Sequence, residues 1–188
     1  MRIIAGAWRG RALAAPKGDT TRPTSQRMRQ ALFDMLWHAP WAGRAAIEGV
    51  SVLDAFAGTG ALGLEALSRG ASHATFMEHD RAALAALRTN IAACGAAARV
   101  LAADATKPPR GTPCALVFLD PPYGHGLVPR AVAALTVQGW IAPNALISAE
   151  IAAAEPFEPP GETLARRIHG AACIVAWRHP VTARDLPI

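Results

Sequence analysis

Short apolar runs and helix-spaced apolar positions alternate along most of this chain, and that alternation sets the expected fold. Apolar runs bounded by turn residues predict strands over 51–56, 74–78, 99–102, 115–119 and 145–150. Between them, helical spacing predicts helices over 61–68, 81–94 and 128–137. Ala115–Leu119 is entirely apolar, as a parallel strand covered on both faces must be. Segments 163–169 and 173–178 read as a closing antiparallel pair. Strands alternating with helices imply an α/β fold, a doubly wound and mostly parallel sheet. No internal repeat is present.

Upstream of this unit the pattern differs. Residues 2–14 read as two short strands around a glycine-containing turn. Pro23-Thr24 opens a helix with Thr24 as its N-cap, and Met28, Leu32, Met35 and Leu36 share one face. Arg27 and Arg29 fall off that stripe and are expected to point outward. The helix ends near Trp37 to Pro40, and 43–49 links it to the body. The chain therefore divides into an extension, 1–44, and a body, 45–188.

Composition narrows the class. A chain of 188 residues with 52% hydrophobic side chains suits one domain with a sizeable core, which excludes global disorder. Three cysteines, Cys94, Cys114 and Cys173, are odd in number and lack C-x-x-C spacing. They argue against a disulfide framework or a cysteine zinc site and favour a reducing compartment. The histidines show no metal-ligand spacing either, so no metal is expected. Arg9 follows too short an apolar run for a secretory signal. The uncharged stretch Ala131–Ala149 is interrupted by Gln138, Gly139, Pro143 and Asn144, which argues against a membrane span. The expectation is a cytoplasmic protein.

The charge is uneven. Of the net +5, residues 1–44 carry +6 and residues 45–188 carry −1. Seven of the eight cations in the extension are arginines, the side chain that grips phosphate bidentately. A basic arm on a nearly neutral body is the pattern of a polyanion-binding surface.

The loop after the first strand carries chemistry. Gly58, Gly60 and Gly63 satisfy G-x-G-x-x-G between a strand and a helix, the context of a dinucleotide site. Asp54 argues against that ligand, because its carboxylate at the strand end would repel a pyrophosphate. S-adenosylmethionine has no phosphate and carries two positive centres, so the D-x-F-x-G-x-G run of Asp54, Phe56, Gly58 and Gly60 suits it better. Glu78 ends the second strand, where it can accept from both ribose hydroxyls, and Asp104 follows the third, toward the adenine edge. Asp80 reads as the N-cap of the next helix.

Asp120-Pro121-Pro122-Tyr123 closes the fourth strand, and Tyr123 is the sole tyrosine. Methylating an exocyclic base amine requires acceptors that hold the amino group and turn its lone pair toward the methyl donor. The Asp120 carboxylate and a proline-stiffened carbonyl can supply them, and Tyr123 can stack on the base. Such a transfer needs positioning and electrostatic match rather than a strong base. Trp8 can either stack on a base or staple the hairpin. Glu150, at the end of the fifth strand, can line the crevice, although a structural role is the favoured reading.

These residues resemble a family, the bacterial 16S ribosomal RNA guanine-N2 methyltransferases of the methyltransferase D type. The likeness runs through Arg2-Ile3-Ile4 and Gly6-x-Trp8-Arg9-Gly10-Arg11-x-Leu13, then Arg22-Pro23-Thr24 with Arg29 and Leu32-Phe33. It continues through Leu53-Asp54-x-Phe56-Ala57-Gly58-x-Gly60-Ala61-Leu62-Gly63-Leu64-Glu65-Ala66 and Asp120-Pro121-Pro122-Tyr123. The two body motifs mark amino methyltransferases in general, and the N-terminal pair narrows the choice. The chain departs from the family at Gln30, where relatives usually carry glutamate.

The resemblance implies a Rossmann-like methyltransferase sheet whose N-terminal extension touches RNA through Arg9, Arg11, Arg22, Arg27 and Arg29. It implies a substrate guanine in 16S rRNA, within an assembled small ribosomal subunit, acted on by a monomer. Asp120, Pro121, Pro122 and Tyr123 would then be the catalytic residues. Three alternatives remain open at this point. One is a DNA methyltransferase acting on adenine N6 or cytosine N4, for which no target-recognition domain is evident. The second is a ribosome assembly factor whose methylation is incidental, and the third is a dehydrogenase.

Overall fold

The computed structural model describes residues 1–16 and 26–181. Arg22 and the Thr24 cap fall outside them. The expected alternation is present: α1 (Gln26–His38), β1 (Ser51–Asp54), α2 (Ala61–Ser68), β2 (His73–Glu78), α3 (Arg81–Cys94) and β3 (Ala98–Ala102) come first. There follow β4 (Cys114–Leu119), α4 (Leu127–Val137), β5 (Ile141–Ala152), β6 (Glu162–His169) and β7 (Ala172–Arg178). The strands form one seven-stranded sheet in the order β3-β2-β1-β4-β5-β7-β6. Pairings among β1 to β5 are parallel, while β7 runs antiparallel to both β5 and β6. The order reverses between β1 and β4, which opens the crevice where sheets of this kind bind ligands.

Alternation along the buried strands builds two cores. Val52, Phe76, Leu116 and Phe118 face one side, with Leu64 of α2 and Leu87 of α3. Their neighbours Leu53, Met77, Val117 and Leu119 face the other, with Val132, Leu135 and Trp140. The extension packs into the first core. Ile3, Leu13, Leu32, Phe33 and Leu36 are buried there, and the Phe33 ring lies 5.6 Å from that of Phe118.

Three local differences from the sequence reading have physical causes. Residues 2–14 form a turn closed by a single antiparallel bridge, Arg2 to Ala12, rather than two strands. Their polar groups are drawn instead to α2: Ala7 N donates to Ser68 O at 2.7 Å and Trp8 N to Ser68 Oγ at 2.9 Å. Gly6 permits this approach, since a Cβ there would sit 1.8 Å from the Ser68 carbonyl oxygen. β5 starts earlier than expected, at Ile141, because Pro143 and Asn144 form an irregularity inside it. Asn144 has φ +59°, and the register against β4 shifts between Cys114 and Leu116.

The third difference corrects the expectation for Arg29. It does not face outward; it is fully buried, and its Nη2 donates to the Arg2 carbonyl at 2.8 Å. Arg29, Leu32, Phe33 and Leu36 stand at i, i+3, i+4 and i+7, so the inward face of α1 is rotated relative to the stripe drawn through Met35. Among the described residues, no helix is long and apolar enough to cross a membrane.

Candidate active site

A cleft of about 620 Å³ opens at the carboxyl ends of β1, β2, β4 and β5. It brings together Asp54, Phe56, Gly58, Glu78 and the whole Asp120–Tyr123 run. Ala15 and Met28 of the extension border it as well. Gly60 stands just behind the lining as the residue before α2, in a left-handed conformation with φ 82°. Gly63 lets α2 press onto β2, because a Cβ there would fall 2.3 Å from the Phe76 ring.

Asp54 is almost wholly buried. Its Oδ2 accepts from Gly63 N at 2.9 Å, while its Oδ1 has no hydrogen-bond partner among the described residues. Burial pushes its carboxyl pKa up to about 7; the Gly63 amide opposes the shift and the Glu78 carboxylate adds to it. A carboxylate with an unused, desolvated oxygen is costly unless a donor or a cation meets it. The ammonium or sulfonium side of S-adenosylmethionine supplies both, so the residues present fit that ligand.

Glu78 binds the surrounding loops together. Its Oε2 accepts from Gly58 N at 2.8 Å, and its Oε1 accepts from His79 N and Asp80 N at 2.7 Å each. The glycine loop after β1 is therefore tied to the end of β2 before any ligand arrives. Asp80 caps α3, accepting from Ala83 N at 2.8 Å. Asp104 is not part of the lining, although its neighbour Ala103 is. Its Oδ1 instead accepts from both the amide and the hydroxyl of Thr106, at 2.8 Å each. The Thr106 amide is the main reason its pKa lies below the usual carboxylate range.

Past the end of β4, the strand next to β1, Pro121 is buried and Tyr123 is half-buried. The Tyr123 hydroxyl donates to Glu150 Oε1, which fixes the ring by its polar end. Glu150 lines the cleft, as its strand-end position allowed, and it also serves the structural role of holding the tyrosine. Among the described residues, no group of three or more His, Cys, Asp or Glu could hold a metal ion.

The basic residues are distributed differently from one another. Arg9 and Arg27 are exposed, and the exposed Arg11 donates from Nη1 to the Ala93 carbonyl on α3. Arg29 belongs instead to an internal ionic cluster. Glu65, fully buried on α2, accepts from Ile4 N at 2.8 Å, from Ala5 N at 3.0 Å and from Arg69 Nε at 2.9 Å. Burial holds the Arg29 guanidinium below its ordinary pKa, with Glu65 opposing that shift and Arg69 reinforcing it. Glu65 lies within the motif that follows β1, and nothing in that motif points to the arm it holds. Its signal was a lone acid in an otherwise apolar helix. Gln30, the departure from the family pattern, donates from Nε2 to Asp34 Oδ1 at 2.6 Å.

A family described as "Conserved hypothetical protein 95" matches residues 1–177. The chain belongs to this family. Among curated relatives, the ribosomal RNA small subunit methyltransferase D of Escherichia coli (strain K12) is 45% identical over 153 residues, 80% of this chain and 74% of that protein. The Haemophilus influenzae protein of the same name is 38% identical over 167 residues, covering 85% and 83%. A solved structure of a putative methyltransferase from Escherichia coli superposes with a TM-score of 0.83 at 38% identity, over 97% of this chain and 99% of that one. A Thermus thermophilus 16S rRNA N2 G1207 methyltransferase, solved with AdoMet and guanosine, shares the fold at 20% identity and a TM-score of 0.61, over 87% and 44%. The sheet is the Rossmann-like sheet of the methyltransferases to which the chain is similar.

Proposed function

We propose that this protein transfers a methyl group from S-adenosylmethionine to the exocyclic N2 of a guanine in 16S rRNA, within the assembled small ribosomal subunit. The observation that carries the reading is that Asp120-Pro121-Pro122-Tyr123 and Asp54 line one cleft. Its support from relatives is the name that the Escherichia coli and Haemophilus influenzae proteins share.

The bound cofactor would supply an electrophilic methyl group. Asp54, the Gly58–Gly60 turn and Glu78 would hold it, with Asp104 acting through the loop it shapes. Past the end of the neighbouring strand β4, the Asp120 carboxylate and the Pro121 carbonyl would accept from the two amine hydrogens. That pulls the nitrogen out of conjugation, so its lone pair points across the cleft. Tyr123 would stack on the base, and Pro122 would hold the turn rigid. A base inside a helix must be flipped out to enter, which costs a few kcal/mol. Arg9, Arg11, Arg22 and Arg27 would contact phosphates from the extension, treated as an RNA-contacting unit over 1–44.

The test is methyl transfer from labelled S-adenosylmethionine to small ribosomal subunits, naked 16S rRNA and duplex DNA in parallel, with nucleosides identified by mass spectrometry. N2-methylguanosine from ribosomal samples is expected. Methylated adenine or cytosine from DNA would replace the substrate assignment, and no transfer to any of them would remove the enzymatic reading.

A further inference from the structure

The two carboxylates on the substrate wall are neighbours by construction. β4 and β5 pair in parallel with Leu119 opposite Ala149. Glu150 follows Ala149 inside β5, where it pairs with Ile174 of β7, and Asp120 is the first residue past β4. The two therefore stand at the same level on neighbouring chains, whose spacing in the hydrogen-bonding direction is about 4.8 Å. Both line the cleft. Glu150 Oε1 receives the Tyr123 hydroxyl, and a carboxylate can accept several hydrogen bonds at once. A second acidic group therefore stands beside the acceptors that would hold the target amine.

The chemistry of the bases gives that position a meaning. In adenine and cytosine, the ring nitrogen next to the exocyclic amine is an unprotonated acceptor. In guanine, N2 is flanked on one side by N1–H, a donor. A carboxylate beside the amine-holding pair therefore meets a hydrogen in guanine and a lone pair in the other two. We propose that Glu150 selects guanine by accepting its N1–H, while Asp120 and the Pro121 carbonyl hold N2. This inference rests on the guanine-N2 reading and adds the residue that enforces it. A partly desolvated carboxylate left facing a lone pair loses its hydrogen bond and repels the base, which is how a site built around a substrate N–H rejects analogues lacking it.

The experiment uses the full chain and an rRNA in which the modified guanine is replaced by 2-aminopurine. That base keeps the N2 amine but has an unprotonated N1. Wild-type protein is expected to prefer guanine over 2-aminopurine by at least about tenfold in kcat/KM. Glu150→Gln, whose amide can present either a donor or an acceptor, is expected to lower guanine turnover and to shrink that preference severalfold. S-adenosylmethionine affinity and Tm should stay near wild type. Tyr123→Phe removes the hydroxyl but keeps Glu150, so its preference should match wild type even as its rate falls.

Equal use of both bases by wild-type protein would overturn the assignment without recourse to any variant. An unchanged preference in Glu150→Gln would overturn it too. A preference lost equally in Tyr123→Phe would make Glu150 a support for the tyrosine ring and nothing more. Absence of any N2-methylguanosine would instead bring down the underlying function, a different readout from a lost preference.

Discussion

Glu65 and Ile4 are joined by a 2.8 Å hydrogen bond from a backbone amide to a fully buried carboxylate, 61 residues apart in sequence. The same carboxylate receives Ala5 N and the Arg69 guanidinium, so one side chain anchors the extension to α2 and balances the cations beneath it. Removing it leaves Arg29 and Arg69 buried without their counter-charge. Glu65→Ala should therefore cost about 3–5 kcal/mol, read as a fall in urea midpoint and Tm. Glu65→Gln, which keeps an acceptor, should cost less. Equal losses in the two would mean that charge balance is irrelevant there.

Asp54 predicts a pH dependence. Its folded pKa of about 7 lies above the unfolded value of 3.8, so the folded protein holds this proton more tightly than the unfolded chain. The stability it contributes is present below the unfolded pKa and is lost as pH rises toward 7, an effect of at most about 4 kcal/mol. Asp54→Asn should accordingly raise Tm at pH 8 more than at pH 5, while weakening S-adenosylmethionine binding. In the wild type, cofactor affinity should fall as pH drops below 7, and the variant should flatten that profile. Thermal unfolding at pH 5 and pH 8 would check the first, and calorimetric titration of the cofactor from pH 5.5 to 8 the second.

Asp120→Ala should separate chemistry from cofactor binding. It removes an acceptor for the developing charge on the amine, which is expected to lower kcat by about 10²–10³-fold. Because Asp120 is assigned to the target amine and Asp54 to the cofactor, S-adenosylmethionine affinity should hold within a few-fold. Parallel loss of both would show that the two groups do not work separately.

Arg9 and Arg27 are exposed and Arg29 is not, so the arginines should sort by burial. Arg9→Ala with Arg27→Ala should weaken rRNA binding and flatten its log–log salt dependence by about one for each phosphate no longer neutralised. Arg29→Ala should lower Tm instead. A normal Tm with a flattened salt slope in Arg29→Ala would reverse that sorting.

Strand and helix positions of the body were legible because each buried strand is a short apolar run and each helix carries its own cap or glycine, as with Asp80 before α3. The candidate site was legible where chemistry is local to a turn, at Asp54, Gly58 and Asp120–Tyr123. It was not legible where two distant segments meet. Nothing near Glu150 in sequence announces Tyr123, since their proximity comes from the pairing of β4 with β5. Arg29 misled for a related reason. Charged residues are rarely buried unless paired, and its counter-charge lies on another helix. Asp104 sits at a strand end like Glu78, yet the nearby Thr106 captures its carboxylate, a local competition that strand counting does not register.

The eight residues of α2 span about 12 Å, from the glycine turn at the cofactor wall to Ser68 under the tip of the extension. Both ends are fastened, one by Asp54 to Gly63 and the other by Glu65 and Ser68 to the arm. The helix is thus a rigid ruler between the glycine turn and the basic tip. Under the proposed function, an RNA held at the tip would find the cofactor turn at that fixed distance, so its three-dimensional fold would be measured before its sequence is read.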